Sequence, residues 1–377
     1  MDFALSEEQE MLRKSARDFL SVECPKSLVR EIEAGDLGYS RELWKKMAAL
    51  GWMGLILPEE YGGAGLGLID LAVLMEECGR AAVPGPLFAT TALGALPLLD
   101  FGGDGQKKSL LPGVASGDVI LTAAIAEPEV NEDARFVRAR AMATGDGFAV
   151  TGQKLFVPYA HVADHMLVVT RTRGSPGDAE GVTVLLVGAK SEGTSMIPLV
   201  TIAADKQFEV AFSEVLVPSE HVVGTVDGGL PAITAALRKA AALQCAVMVG
   251  GAQQELEMTA AHTKTRVQFG RPIGAFQAVQ HRLADMFIDV NGARWTTYNA
   301  IWRLSKGLRA EREVAIAKAF TNIACQRVAL SAQQLHGGTG VDVGYDLHFY
   351  FRRAKALELS LGSTPFHLGA LEAELKL

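Results

Sequence analysis

The feature that most constrains the fold of this chain is a double change in the periodicity of its apolar residues. Towards both ends the apolar residues recur at helical spacing, whereas between residues 118 and 226 they gather in short runs rich in β-branched side chains. Short runs of this kind, separated by turns such as G-D-G at 145–147 and G-S-P-G at 174–177, are typical of an antiparallel β-domain. The order helices, strands, helices therefore predicts an α+β fold.

The N-terminal residues 1–117 are predicted to form a helical domain. Ser6 and Gln9 have the spacing of a capping box in front of an apolar helical face. Gly51 follows a second helical segment, as glycine often does where a helix ends. A glycine-rich stretch at 58–65 predicts a loop, and a further helix is expected over 68–80.

The central and C-terminal parts are predicted to be a β-barrel-like domain over 118–226 and a helical bundle over 227–377. Strands are expected at 148–151, 165–170, 182–187 and 208–212. Beyond residue 227, long periodic segments at 231–265, 277–305 and 310–335 with short connections favour an antiparallel four-helix bundle.

Composition narrows the functional classes. The chain has 377 residues and a net charge of −7, which argues against a nucleic-acid partner. An acidic start and the lack of an uninterrupted 18-residue apolar run argue against a signal peptide and a transmembrane helix. The four cysteines are far apart in sequence and form no metal-ligand pattern, so we expect a reducing, cytoplasmic environment and no metal site.

Five short motifs then occur in a fixed order along the chain. They are P-E-E-Y-G-G at 58–63, G-Q-K at 152–154, V-L-V-P at 215–218, R-V-Q-F-G-R-P-I followed by F-Q at 266–277, and Q-L-H-G-G-T-G at 334–340. In this order and spacing they resemble the signatures of the acyl-CoA dehydrogenase family. On this resemblance the chain is identified as a member of that family over its whole length.

The resemblance implies FAD as cofactor and α,β-dehydrogenation of an acyl-CoA thioester to a 2-enoyl-CoA. In such enzymes a carboxylate removes the α-proton while the flavin accepts a hydride from the β-carbon. The resemblance also implies an electron-transfer flavoprotein as the electron acceptor. The residues that it assigns to the adenine and pyrophosphate end of FAD are Arg266, Phe269, Phe276, Gln277, Gln334, Leu335, Gly337 and Gly338.

The catalytic base of the family is missing. Its glutamate near the C-terminus corresponds to Leu361, and the alternative glutamate on the first bundle helix corresponds to Ala240. Neither side chain can accept a proton. The catalytic residue of this chain is therefore unknown from sequence.

The flavin-facing part of the β-domain also departs from the family. A glycine-rich loop is replaced by A-E-P-E-V-N-E-D at 126–133, and the family's W-I-T triplet is replaced by Phe156-Val157-Pro158. Carboxylates repel a pyrophosphate, the loss of glycine hinders close approach of the backbone, and proline removes a backbone donor.

These departures favour one subunit of a heteromeric α2β2 acyl-CoA dehydrogenase, whose paralogous partner supplies the base and the rest of the flavin site. Two alternatives stay open: a homotetramer with a displaced carboxylate base (Glu76, Glu77, Glu132 or Asp133), and a non-catalytic acyl-CoA-binding or structural relative. An oxidase is a further possibility. Glu127, Glu129, Glu132 and Asp133 are expected to form a solvated loop, and Arg238 is a candidate substrate-binding residue. The resemblance to heteromeric members favours a bulky or branched acyl-CoA, whose identity the sequence does not give.

Overall fold

The computed structural model describes residues 4–129 and 132–375. The helices are Glu7–Glu23 (α1), Lys26–Ala34 (α2), Arg41–Ala49 (α3), Leu68–Ala81 (α4), Leu96–Phe101 (α5), Asp104–Ser116 (α6), Leu230–Thr265 (α7), Gln277–Ser305 (α8), Glu311–His336 (α9), Leu347–Glu358 (α10) and Thr364–Leu375 (α11). The strands are Leu121–Ala124 (β1), Arg140–Thr144 (β2), Gly147–Pro158 (β3), His165–Arg171 (β4), Val182–Gly188 (β5), Thr194–Leu199 (β6), Gln207–Pro218 (β7), Val222–Val223 (β8), Val267–Gln268 (β9) and Arg271–Pro272 (β10).

The predicted order of helices, sheet and helices is confirmed, and so is the capping box. The Ser6 hydroxyl accepts from the Gln9 N–H at 3.3 Å, and the Gln9 side chain accepts from the Ser6 N–H at 3.1 Å, so two donors at the start of α1 are satisfied. Sequence periodicity missed the short helices α2 and α5, the longer α6, and the short strands β1, β2 and β6.

The central sheet has the strand order β6-β7-β3-β2-β4-β5-β8, and β1 pairs with β4. Most pairs are antiparallel, as predicted. The pairing of β1 with β4 is parallel, with Leu121 opposite His165 and Ala124 opposite Val168. β1 and β4 carry largely buried apolar side chains, as parallel strands usually do.

The chain forms two compact units. Within the described residues, one contains 4–30, 68–83 and 241–375, and the other contains 31–67 and 84–240. We call them the bundle unit and the sheet unit. The N-terminal helices are shared between the two units, so the division at residues 117 and 226 stays a prediction.

The boundary between the units falls inside α7, between Ala240 and Ala241. By length and composition alone α7 could cross a membrane, but 61% of its most apolar window is buried inside the structure. Burial of this extent is equally a property of the core helix of a globular protein. Its apolar face packs in the bundle core with α8 and α9, around Met248, Leu256, Met286 and Val328.

Candidate functional site

The residues after α7 form an exposed hairpin with an unusual turn. β9 pairs with β10, and the two turn residues, Phe269 and Gly270, have φ values of 53° and 78°. Positive φ at both central positions is the requirement of a type I′ turn. A phenylalanine rarely takes this conformation, and its ring is 91% exposed. The turn therefore presents an aromatic ring at the protein surface.

Arg266 lies where α7 passes into this hairpin. Its N–H donates to the His262 carbonyl at 2.8 Å, and its own carbonyl accepts from the Ile273 N–H at 2.8 Å, so both ends of the hairpin are fixed by the backbone of one residue. Its side chain is exposed. A guanidinium held on a rigid backbone in this way can bind a phosphate or pyrophosphate through charge-assisted hydrogen bonds.

The start of α8 lies beside the hairpin. The Phe276 ring meets the Phe269 ring edge to face at a centroid distance of 6.0 Å, and the Arg271 guanidinium lies 4.1 Å from the Phe276 centroid. Gln277 begins the helix and is exposed. The first N–H groups of a long helix and its dipole favour an anion at this end.

The end of α9 provides the other predicted segment. Gln334 is exposed, whereas Leu335 packs partly buried against the bundle core. Gly337 has φ of 59° and ψ of −137°, and open space surrounds the Cα atoms of Gly337 and Gly338. A ligand can approach this backbone closely because no Cβ stands in the way.

A pair of histidines joins the ends of α7 and α9. The ring of His262, one turn before Arg266, stacks on the ring of His336, next to Gly337, with centroids 4.3 Å apart and planes 27° apart. Burial lowers the pKa of both histidines, and for His262 the neighbouring His336 and Arg266 lower the pKa further. The structure thus brings the two predicted segments together. No motif in the sequence includes His262, although its spacing of four from Arg266 places both on one helix face.

In the sheet unit, Glu127 is an internal ion-pair residue. Its carboxylate lies 2.7 Å from the Lys154 ammonium, with side-chain exposures of 10% and 0%, and accepts from the N–H groups of Arg138 at 2.7 Å and Ala139 at 2.9 Å. The prediction of a solvated loop is wrong for Glu127, because no local sequence pattern indicates that a buried lysine faces it. Glu129 is exposed and lies 3.7 Å from Arg138. Val130 and Asn131 of this loop lie outside the described residues.

Phe156, at the position of the family tryptophan, lies at a bulge in β3 with φ of 54° and is 59% exposed. An exposed aromatic residue with a strained backbone is typical of a ligand-binding site. The neighbouring Pro158 cannot donate a backbone hydrogen bond, and its carbonyl accepts from the Thr122 hydroxyl at 2.6 Å. Compared with the W-I-T triplet of the family, the first position therefore has a smaller aromatic ring, and the third position has lost a backbone hydrogen-bond donor.

The two positions that the sequence resemblance assigns to the family base carry no carboxylate. Ala240 is fully buried on α7. Leu361 follows α10 in a turn that polar side chains hold in place: the buried ammonium of Lys318 donates to the Leu357 carbonyl at 2.8 Å, and the Asn322 amide donates to the Gly362 carbonyl at 3.4 Å. A lysine at the carbonyl end of α10 also suits the helix dipole.

Three of the four carboxylates considered as displaced bases, Glu76, Glu77 and Asp133, form ion pairs with arginine side chains. Glu77 accepts two hydrogen bonds from Arg17 at 2.6 and 2.9 Å, and Glu76 accepts from Tyr298 at 2.8 Å and Arg294 at 3.1 Å. Burial tends to raise the pKa of Asp133, but hydrogen bonds and attraction from Arg135 outweigh it and lower that pKa. The lowered pKa makes the Asp133 carboxylate a weaker base than a free aspartate.

Arg238, the candidate substrate residue, is half-buried on α7. The next residue, Lys239, lies 2.6 Å from the carboxylate of Asp100 in the same unit. Lys239 is therefore occupied by an ion pair. For Arg238, the role in substrate binding stays a prediction.

Comparison with known proteins identifies the family of this chain. The acyl-CoA dehydrogenase N-terminal, middle and C-terminal domain families match residues 6–118, 122–215 and 227–375. The probable acyl-CoA dehydrogenase YngJ of Bacillus subtilis is 32% identical, with 97% of each chain covered.

Two solved structures share the whole fold. A chain of the ChsE4-ChsE5 complex from Mycobacterium tuberculosis is 31% identical with a TM-score of 0.92, covering 100% of this chain and 99% of that one. The FAD complex of PigA is 26% identical with a TM-score of 0.91, covering 100% of both chains. An exposed arginine, a helix N-terminus and an open glycine turn within one compact unit fit the diphosphate of FAD, the cofactor of this family. The chain belongs to the acyl-CoA dehydrogenase family of FAD-dependent oxidoreductases.

Proposed function

We propose that this chain is one subunit of a heteromeric α2β2 acyl-CoA dehydrogenase that converts an acyl-CoA thioester to a 2-enoyl-CoA. The observation that carries the proposal is the contrast between the residues that this chain keeps and those that it lacks. The segments that the resemblance assigns to the adenine and pyrophosphate end of FAD lie in the bundle unit, whereas both positions that it assigns to the base hold aliphatic side chains, Leu361 and Ala240. A paralogous partner then supplies the carboxylate and the remaining part of the flavin site.

In this proposal the chain contributes binding and orientation. When bound, FAD accepts the hydride that leaves the β-carbon of the substrate. Arg266, the first turn of α8 and the Gly337–Gly338 backbone hold the diphosphate, and Phe269 offers an aromatic surface beside it. The α-proton passes to a carboxylate of the partner, because Leu361 cannot accept it.

An apolar surface on the bundle unit supports a partner chain. On α8, Phe287, Ile288 and Trp295 are 60%, 63% and 45% exposed, and on α9 Leu330 is 53% exposed. Large apolar side chains that recur at helical spacing on two packed helices are a typical protein interface. The likeness to a chain of the two-protein ChsE4-ChsE5 complex agrees with a paralogue as that partner.

Further parts of the proposal follow from the family. The electron acceptor is an electron-transfer flavoprotein, the substrate is a bulky or branched acyl-CoA that Arg238 helps to bind, and the protein is cytoplasmic. The homomeric alternative is less well supported, because Glu76, Glu77 and Asp133 are held by cationic partners. The non-catalytic alternative leaves the exposed Arg266 hairpin and the open glycine turn without a purpose.

The test is to purify the full chain alone and together with the paralogous subunit, and to measure bound flavin and dehydrogenation of acyl-CoA thioesters. We expect a colourless, inactive single chain and a yellow, active complex. In the complex, Arg266→Ala lowers flavin content, whereas Leu361→Ala leaves kcat unchanged within about twofold because the base is elsewhere. A single chain that binds one FAD per protomer and turns over substrate contradicts the proposal.

A further inference from the structure

The stacked histidines lie where the two segments of the nucleotide site meet. His262 is separated from Arg266 by one helical turn, and the Arg266 N–H donates to the His262 carbonyl at 2.8 Å. His336 directly precedes Gly337, whose φ of 59° starts the glycine turn. The rings of the two histidines, 4.3 Å apart, form a direct side-chain link between the two segments.

The hydrogen bonds of His336 define its protonation state. Its Nδ1 lies 2.9 Å from the Ala332 carbonyl, which can only accept, so Nδ1 carries the proton. Its Nε2 is buried and has no hydrogen-bond partner within 4–129 and 132–375. A second proton on that nitrogen would be a buried charge without compensation.

The surroundings also oppose protonation. The charged and titratable groups that face the pair are the Arg266 guanidinium from the end of α7 and the Tyr345 phenol, whose ring lies 5.4 Å from that of His336. A positive charge on His262 would be repelled by Arg266 and by a protonated His336. For His336, burial outweighs the hydrogen bond to the Ala332 carbonyl, which by itself favours the charged form. The pKa of each histidine is accordingly lowered, first by burial.

We propose that His262 and His336 are positioning residues whose neutral, stacked rings hold the Arg266 turn beside the Gly337–Gly338 turn, and that protonation of the pair releases this arrangement. The inference deepens the proposed function, on which its link to FAD rests. Because a histidine with a lowered pKa favours folding in its neutral form, the arrangement is complete above the unfolded-state pKa of about 6.5 and is lost as the pH falls below it.

The first measurement needs no nucleotide. Hydrogen exchange in the full chain, expressed as protection factors at pH 8.0 and 5.5, reports whether residues 266–273 and 337–341 loosen in acid. We expect protection in both segments to fall by up to about tenfold in the wild type, because at pH 5.5 an imidazole of ordinary pKa, about 6.5, is about tenfold more protonated than neutral. His336→Phe and His262→Phe keep an aromatic ring that cannot titrate, so in each the fall should shrink to about twofold or less. The control is His221→Phe in the sheet unit. An equal fall in all four proteins overturns the proposal.

The second measurement connects the pair with the nucleotide. Calorimetric titration of the same proteins with ADP, which carries the adenosine and diphosphate of FAD, should show about tenfold weaker binding at pH 5.5 than at pH 8.0 in the wild type, and a smaller change in the two histidine variants. If exchange behaves as expected but ADP binds at neither pH, the nucleotide half-site of the proposed function fails while the positioning role stands. If ADP binds and its pH dependence is the same in all variants, the role of the pair in nucleotide binding is wrong.

Discussion

The backbone carbonyl of Leu361 accepts a hydrogen bond from Nε2 of His367 at 3.0 Å, and this contact closes a turn in which Leu361 has φ of 54°. The turn is thus defined by polar groups around it and not by the leucine side chain. At this position, which the sequence resemblance assigns to the family base, hydrogen bonds hold the backbone and the side chain is aliphatic.

This geometry predicts how substitutions at residue 361 affect stability. Leu361→Val places a β-branched residue in the left-handed region and should lower the free energy of unfolding by about 1–2 kcal/mol. Leu361→Gly suits the backbone and should stay within about 1 kcal/mol of the wild type. Urea unfolding of the two variants measures the difference. Equal losses in both would show that the side chain, not the backbone, holds the turn.

Removing Arg266 should weaken flavin binding without unfolding the protein, because its side chain is exposed and its structural contacts are made by its backbone. For Arg266→Ala in the complex we expect a rise in the Kd for FAD of about 10- to 100-fold, as for the loss of charge-assisted hydrogen bonds. Flavin fluorescence during dialysis measures it. Lys306→Ala, an exposed cation just after α8, is the control and should leave the Kd unchanged; a comparable rise there would mean a general charge effect.

The buried pair of Glu127 and Lys154 should be among the most sensitive sites in the sheet unit. Lys154→Met leaves a buried carboxylate without its cation and should cost about 3–5 kcal/mol of unfolding free energy. The double variant Lys154→Met with Glu127→Leu should recover part of that loss, because no buried charge remains. Chemical denaturation of the single and double variants gives the coupling free energy, and strictly additive losses would argue against a direct interaction.

Glu255 in α7 is predicted to destabilise the fold as the pH rises above the usual pKa of a glutamate. It is 1% exposed, and its Oε1 finds no partner among the residues that the structure describes, so burial raises its pKa well above the usual range. Above about pH 4.3, the usual pKa of a glutamate, the unfolded chain has lost a proton that the folded chain keeps. Stability therefore falls as the pH rises from about 4.3 towards the raised pKa of Glu255 in the folded chain. Glu255→Met should remove this dependence.

For Glu255→Met we expect a gain of about 1 kcal/mol or more in unfolding free energy at neutral pH, and a smaller gain at pH 4, because a buried polar group is replaced by an apolar one of similar length. Urea titrations at pH 4 and pH 7 give both values. Glu372→Met, on the exposed side of α11, is the matched control. A loss of stability in Glu255→Met at both pH values would contradict the prediction.

Sequence patterns were most informative where a local rule applies. The capping box at Ser6, the long bundle helices and the β-branched strands follow from periodicity and capping, and the structure confirms them. The parallel pairing of β1 with β4 and the burial of Lys154 against Glu127 depend on which distant segments meet. Local sequence patterns carry no information about contacts between segments that are distant in sequence.

The same holds for the candidate site. Motif resemblance identified Arg266, Phe269 and the glycine turn at 337–338, but the left-handed backbone of Phe269 and the contact between His262 and His336 appear only when the chain is folded. The spacing of four between His262 and Arg266 is visible in the sequence. The contact of His262 with His336 is not, because His336 lies in another helix.

All eight residues expected at the nucleotide end belong to the bundle unit, whereas the described residues of the altered loop, 126–129 and 132–133, and the Phe156–Pro158 triplet belong to the sheet unit. After duplication of an ancestral gene, mutations could therefore accumulate in one flavin-binding surface without disturbing the packing beneath the other. Such a chain can keep only one of the two flavin-binding surfaces, provided that its paralogue keeps the other one. Mutual dependence between two gene products would then arise by loss alone, with no new contact having to evolve.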